Sequence, residues 1–266
     1  MTTSTAARPI QTLREQITNL EAAITVCLAD PGPKAVHKLR TTTRRVEAQL
    51  TLLSLIPDLP PRRKPEKEAR RLLKKLRRAA GNIRDLDVQI DLIEQKATAS
   101  TKEASTQLSE GLKRQRTQAE TDLLHILNKH QAKLTRSLES LLEALDPAKS
   151  QTLPATKLNT LAQDWFTQNT PSEAIPTDPD ELHAIRKTAK LARYIAETAP
   201  KSARTPRKLA AAFESLQQSG GEWHDWLILS AIADDKLGES PLTQSFRRRC
   251  KTALTNYRNH IQSFRA

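Results

Sequence analysis

Apolar residues recur along this chain every three to four positions, and no stretch alternates apolar with polar. That is the period of a helix, not of a strand. It predicts helices near 12–29, 34–56, 63–81, 84–97, 103–145, 155–168, 180–198, 204–219, 222–235 and 242–264. The breaks have a local chemistry. Asp30-Pro31-Gly32-Pro33 ends the first helix, Pro57, Pro60 and Pro61 the second, and Pro147 the long one. Pro171, Pro176 and Pro179 form a linker, after which Asp180 is the expected N-cap.

One helical pattern occurs twice. Residues 36–50 read VHKLRTTTRRVEAQL and residues 182–196 read LHAIRKTAKLARYIA. Setting His37 on His183 aligns Arg40 with Arg186 and Arg44 with Lys190. In the first copy Val36, Leu39, Thr43, Val46, Leu50 and Leu53 make an apolar seam. His37, Arg40 and Arg44 centre roughly 125° around the helix from it. In the second copy Leu182, Ile185, Ala189, Ala192 and Ala196 make the seam, with His183, Arg186 and Lys190 at the matching angles. Each stripe is about 10 Å long at 1.5 Å per residue, which suits several phosphates in a row.

The repeat extends further. Gly81-Asn82-Ile83-Arg84-Asp85 resembles Gly221-Glu222-Trp223-His224-Asp225, and Leu112-Lys113-Arg114 matches Phe246-Arg247-Arg248 more weakly. Asp85 and Asp225 are expected to cap the helices that follow or to clamp neighbouring arginines, and the tryptophans to lie in the core. The expected fold is all-α: two pseudo-symmetric four-helix bundles, each in the order His helix, second helix, Asp helix, long basic helix. The expected division is an N-terminal segment with one helix (1–32), a first half (33–150), a Pro-containing linker with one helix (151–180) and a second half (181–266).

Charge sharpens this picture. The chain has 266 residues and a formal net charge of +13, which favours a polyanionic partner. Residues 62–84 hold eleven Lys and Arg against two Glu, a net of +9. Lys67, Arg70, Arg71, Lys74 and Arg78 fall on the face opposite Leu72, Leu73 and Leu76, with little acidic relief expected. Like charges at i,i+4 repel, and a bound polyanion removes that penalty. Arg247, Arg248 and Lys251 form a further basic side on the last helix, and Lys113, Arg114 and Arg116 a cluster in the first half.

Other readings are weighed by what they need. Aromatic residues make up only 3 %, which argues against stacking of single-stranded nucleic acid; nucleic acid is the alternative partner on charge alone. An enzyme acting on phosphoanhydrides needs a nucleophile or metal site, and there is no P-loop, no HExxH and no pair of carboxylates on one helix face. No catalytic residue, cofactor or metal is expected. Cys27 and Cys250 lack metal-ligand spacing and read as idle thiols. No apolar run approaches the ~20 residues that span a bilayer, so no membrane partner is expected and a cytoplasmic location is the default.

The segments VHKLRTTTRR, GNIRDLDV, LHAIRKTAKLARY and GGEWHDW resemble the CHAD family, the conserved histidine α-helical domain, over roughly 33–265. The resemblance implies two four-helix bundles related by a pseudo-twofold, with a basic central channel or surface for inorganic polyphosphate and a location at polyphosphate granules. It puts the family's histidines on His37 and His183, and its basic positions on Arg40, Arg44, Arg45, Arg186, Lys190 and Arg193. Arg84 and Lys187 join the expected polyphosphate-binding set. The chain departs from the pattern at Leu191 and Ala192, and at His224, where Asn or Arg is usual. Cations are sparse around Arg207 and Lys208, so the second half is expected to bind more weakly. Binding is expected to weaken with salt and to tighten as pH falls toward 6, because an anion favours the charged imidazole.

Overall fold

The computed structural model describes residues 6–171 and 175–265. Residues 1–5 of the expected N-terminal segment, 172–174 of the expected linker and residue 266 lie outside the described residues. The chain is all-α. Its described residues form eight α-helices: α1 (Pro9–Ala29), α2 (Pro33–Ser54), α3 (Arg63–Lys96), α4 (Lys102–Leu145), α5 (Ala155–Gln168), α6 (Pro179–Ala196), α7 (Arg204–Leu237) and α8 (Pro241–Arg265). Two short strands, β1 (Ala6–Ala7) and β2 (Leu153–Pro154), pair antiparallel, Ala6 opposite Pro154 and Ala7 opposite Leu153.

Two expected breaks are absent. Helix runs through Gly81 to make α3, and through Gly220 and Gly221 to make α7. Each copy of the repeat therefore has three long helices, α2–α3–α4 and α6–α7–α8, in place of four. At Gly220 a neighbour occupies the space of the missing side chain. A Cβ on Gly220 would lie 2.7 Å from the Tyr257 ring, and one on Gly81 would lie 3.8 Å from Nε of Arg40. It follows that Asp85 and Asp225 sit inside helices and cap nothing. At the start of α6 the N-cap is Asp178, two residues before the expected Asp180, whose backbone N–H donates to the Asp178 carboxylate at 3.0 Å. Proline at the first helical position begins α1, α2, α6 and α8, where its missing N–H has no intrahelical partner to lose.

The chain divides into two compact units that interleave along the sequence. The first holds residues 1–87, 115–158 and 198–203; the second holds 88–114, 159–197 and 204–266. In the first unit the whole expected seam of α2 is buried, from Val36 to Leu53. Burying one such Val or Leu side chain contributes ~1.5–3 kcal/mol, so the seam dictates which way α2 faces and turns the charged stripe outward. The Thr43 hydroxyl inside the seam donates to the Leu39 carbonyl at 2.7 Å. Leu72, Leu73 and Leu76 of α3 join Leu123, Leu127, Leu134 and Leu138 of α4 among the buried residues.

A polar clamp closes this unit. Arg116 of α4 donates from Nε to the buried Asp87 of α3 at 2.9 Å, and from a terminal nitrogen to the Pro31 carbonyl before α2 at 2.9 Å. Its other terminal nitrogen pairs with Glu120. Cys27 on α1 is fully buried, and burial first, then the Glu120 and Asp30 carboxylates, push its thiol up to about 11.

The second unit closes on aromatics. Tyr257 of α8 is fully buried, stacks on Trp223 of α7 with centroids 5.8 Å apart, and donates to the Leu182 carbonyl of α6 at 2.9 Å. Phe166, Phe213 and Phe264 form a triad with centroids 5.1–5.2 Å apart. Trp226 packs on Phe246, and both tryptophans of this segment are in the core, as expected.

Candidate functional site

In the first unit α2 carries His37 exposed and Arg40, Arg44 and Arg45 half-buried. Arg40 lies beside Gly81 of α3 and reaches Asp85 at 3.5 Å. Asp85 is thus the arginine clamp of the two roles expected for it. Nε of Arg40 is buried with no hydrogen-bond partner among the described residues. One turn beyond Arg44 the stripe meets an acid: Glu47 pairs with Arg77 of α3 at 2.9 Å.

In the second unit the same stripe is arranged differently. His183 is half-buried and its ring stacks on His224 of α7, with centroids 4.7 Å apart and planes at 24°. A terminal nitrogen of Arg186 lies 3.2 Å from Nδ1 of His183. A guanidinium only donates, so this contact requires the ring proton on Nε2 and leaves Nδ1 as acceptor. Nδ1 of His224 lies 3.6 Å from the Asp225 carboxylate. Lys187 is exposed and Lys190 half-buried. His224 is the residue that the stripe pattern alone misses. Its signal was the histidine standing beside the Asp in GGEWHDW.

Arg193, also expected to meet anion, is held by Glu197 at 2.6 Å and Glu214 at 2.9 Å. Similar pairing thins the other basic faces. On α3, Arg70 pairs with Glu66 at 2.7 Å and Arg71 with Glu68 at 2.6 Å. Glu68 also holds Lys133 of α4 at 2.9 Å. The hydrogen bonds from Arg71 and then Lys133 hold its carboxyl well down, at about 2. The two glutamates of this segment therefore give more acidic relief than their number suggested. Lys67, Lys74 and Arg78 stay exposed and, among the described residues, pair with no carboxylate; Arg84 is half-buried.

On α8, Arg247 is committed to Asp234 and Glu239, at 2.5 and 2.6 Å, while Arg248 and Lys251 are exposed. Arg249 lies with its guanidinium 5.4 Å from the Trp226 ring centre. In the first-half cluster, Arg116 serves the clamp described above and Lys113 pairs with Glu94 at 2.8 Å. The cations that face outward from α2, α3, α6 and α8 suit phosphate chemistry: arginine offers a planar fork, lysine a point charge, imidazole one donor or two. Among the described residues no group of three or more His, Cys, Asp or Glu side chains is placed to hold a metal ion, and no helix is long and apolar enough to cross a membrane.

Fold and surface together define an all-α protein with two histidine-bearing basic helix faces, one in each unit. The chain belongs to the CHAD domain family, whose model matches residues 11–234. Two solved structures share its fold. The crystal structure of the CHAD domain from the plant Ricinus communis superposes with a TM-score of 0.66 at 15 % identity, over 96 % of this chain and 88 % of that one. PptA from Streptomyces chartreusis gives a TM-score of 0.61 at 17 % identity, over 96 % of this chain and 98 % of that one. At such identities the likeness is one of fold. No curated protein gives a significant sequence match.

Proposed function

We propose that this chain binds inorganic polyphosphate without turning it over, and that this binding attaches it to polyphosphate granules. The observation that carries the reading is the repeated stripe: His37, Arg40 and Arg44 on α2, and His183, Arg186 and Lys190 on α6, each set opposite a buried seam. Each stripe offers donors over about 10 Å, which matches a run of phosphates better than a single one. The buried Nε of Arg40 is an N–H in want of an acceptor, and a phosphate oxygen is a charge-assisted one. Lys67, Lys74 and Arg78 on α3, and Arg248 and Lys251 on α8, extend the cationic surface of their units. Membership of the CHAD family supports the same reading.

The test is polyphosphate binding by calorimetry at two salt concentrations, with the wild type beside a variant carrying Ala at His37, Arg40, Arg44, His183, Arg186 and Lys190. Binding that falls steeply with salt, and at least about tenfold in the variant, supports the stripes. Equal binding by the variant removes them from the site. A folded wild type that ignores polyphosphate and binds duplex DNA overturns the function itself. Granule attachment is read by imaging the fluorescently tagged chain in cells with and without polyphosphate; the same distribution in both overturns it.

A further inference from the structure

A groove of about 480 Å³ runs between α3 and α4 in the first unit. Lys75, Arg78 and Asn82 line one side; His125, Lys129 and His130 line the other. Ala79, Ala119 and Ile126 form its apolar floor, and Asp122 is its one carboxylate. Both walls follow helix spacing: i, i+3 and i+7 from Lys75, and i, i+3 and i+7 from Asp122 through His125 and Lys129. Each wall is therefore about 10 Å long at 1.5 Å per residue.

We propose that this groove is a second anion site, and that it takes a triphosphate group, carried either on a short inorganic chain or on a nucleotide. Three cations and two imidazoles converge here against one carboxylate, and Asp122 already accepts a hydrogen bond from Gln118 at 3.3 Å. The Lys75 ammonium lies 3.4 Å from Nε2 of His130, a contact that needs a neutral imidazole as acceptor. An anion between the walls takes over Lys75 and releases Nε2. Walls of about 10 Å match the length of a triphosphate, and the apolar floor gives a nucleoside somewhere to lie. The site shares Arg78 with the polyphosphate reading but none of the two histidine stripes.

Seating an anion there has a protonic consequence. Burial first, then Lys75, Lys129, Arg71 and Lys133, hold the His130 imidazole below its ordinary range. The facing groups are Lys75, Arg78, Arg71 and Glu68 from α3, with Lys129, Lys133, His125 and Asp122 on α4 itself. Glu68 is already ion-paired to Arg71 and Lys133. A triphosphate reverses the local field at His130, so binding draws a proton from solvent onto its ring.

The experiment is calorimetry of tripolyphosphate binding to the full chain at low salt, in two buffers of different ionisation enthalpy, with NMR of the histidine ring protons. Lys75→Gln with Lys129→Gln is expected to weaken binding at least about tenfold, since charge-assisted hydrogen bonds are the strong ones. His130→Gln is expected to abolish most of the proton uptake. Affinity within twofold of wild type in the lysine variant overturns the site, and undiminished proton uptake in the His130 variant overturns its coupling. Circular dichroism confirms that these surface variants fold. Adenosine triphosphate binding several-fold more tightly than tripolyphosphate assigns the groove to a nucleotide; equal or weaker binding assigns it to an inorganic chain. A long polyphosphate chain serves as control: if it fails to bind while tripolyphosphate binds with proton uptake, the polyphosphate function fails and the groove stands.

Discussion

The two histidine helices are held in place by unrelated chemistry. In the first unit a guanidinium does the holding: Arg116 grips Asp87, two residues past the Asp85 that meets Arg40, and the Pro31 carbonyl just before α2. In the second a phenol does it: Tyr257 grips the Leu182 carbonyl, one residue before His183, and stacks on Trp223, one residue before His224. Both anchors act at the same two places, the start of the His helix and the Asp segment. The repeated residues thus mark the outward stripe, and whatever supports that stripe has been free to differ.

The largest effect that would break this comparison is expected at Arg116. Arg116→Met leaves the Asp87 carboxylate buried without its cation, and loss of one partner of such a pair costs about 3 kcal/mol, read by urea denaturation. Full stability in that variant would mean that the clamp holds nothing. Gly220→Ala is expected to cost about 1–3 kcal/mol, because the new Cβ meets the Tyr257 ring at 2.7 Å. Gly81→Ala provides the contrast. Its Cβ would sit 3.8 Å from the Arg40 side chain, an ordinary contact, and alanine favours helix by up to ~1 kcal/mol. A smaller loss, about 1 kcal/mol, is expected for Tyr257→Phe, which keeps the ring and drops one hydrogen bond.

How far the sequence carries depends on which interaction decides each element. Seams packed at helix period, such as Val36 to Leu53, were legible because burial alone selects them. The breaks expected near Gly81 and Gly221 are absent because the buried residues on either side, Leu76 and Ile83, Leu216 and Trp223, continue one packed helix face. The stripe on α2 and α6 was legible as a pattern. Its partners were not: Glu214 reaches Arg193 from the next helix, and His224 reaches His183 from about forty residues away along the chain. Such pairings depend on how helices cross, which one helix's periodicity does not encode.

The smallest expected effect is on pH dependence, and it falls on α3 and α4 of the first unit. His130 is held below its ordinary range, so the unfolded chain binds its proton first as pH falls. Stability is therefore expected to drop as pH goes down through about 6.5, and to level off below the folded value. Glu68 works in the opposite sense to a buried acid. Its depressed carboxyl, at about 2, contributes stability above the ordinary glutamate range that is lost as pH falls toward 2. Lys75→Gln should flatten the first of these slopes in a pH series of melting curves; an unchanged slope would detach His130 from Lys75.

Cys27 gives the first unit a chemical stopwatch. With no exposed surface and a thiol raised to about 11, it can meet an alkylating reagent only while α1 is transiently lifted from its neighbours. Its labelling rate therefore counts those openings directly. An anion seated on the outer face of α2, the helix that packs against α1, should slow the count by the factor with which it favours the closed form. A ligand that touches only charged surface would thereby be timed by a sulfur it never meets.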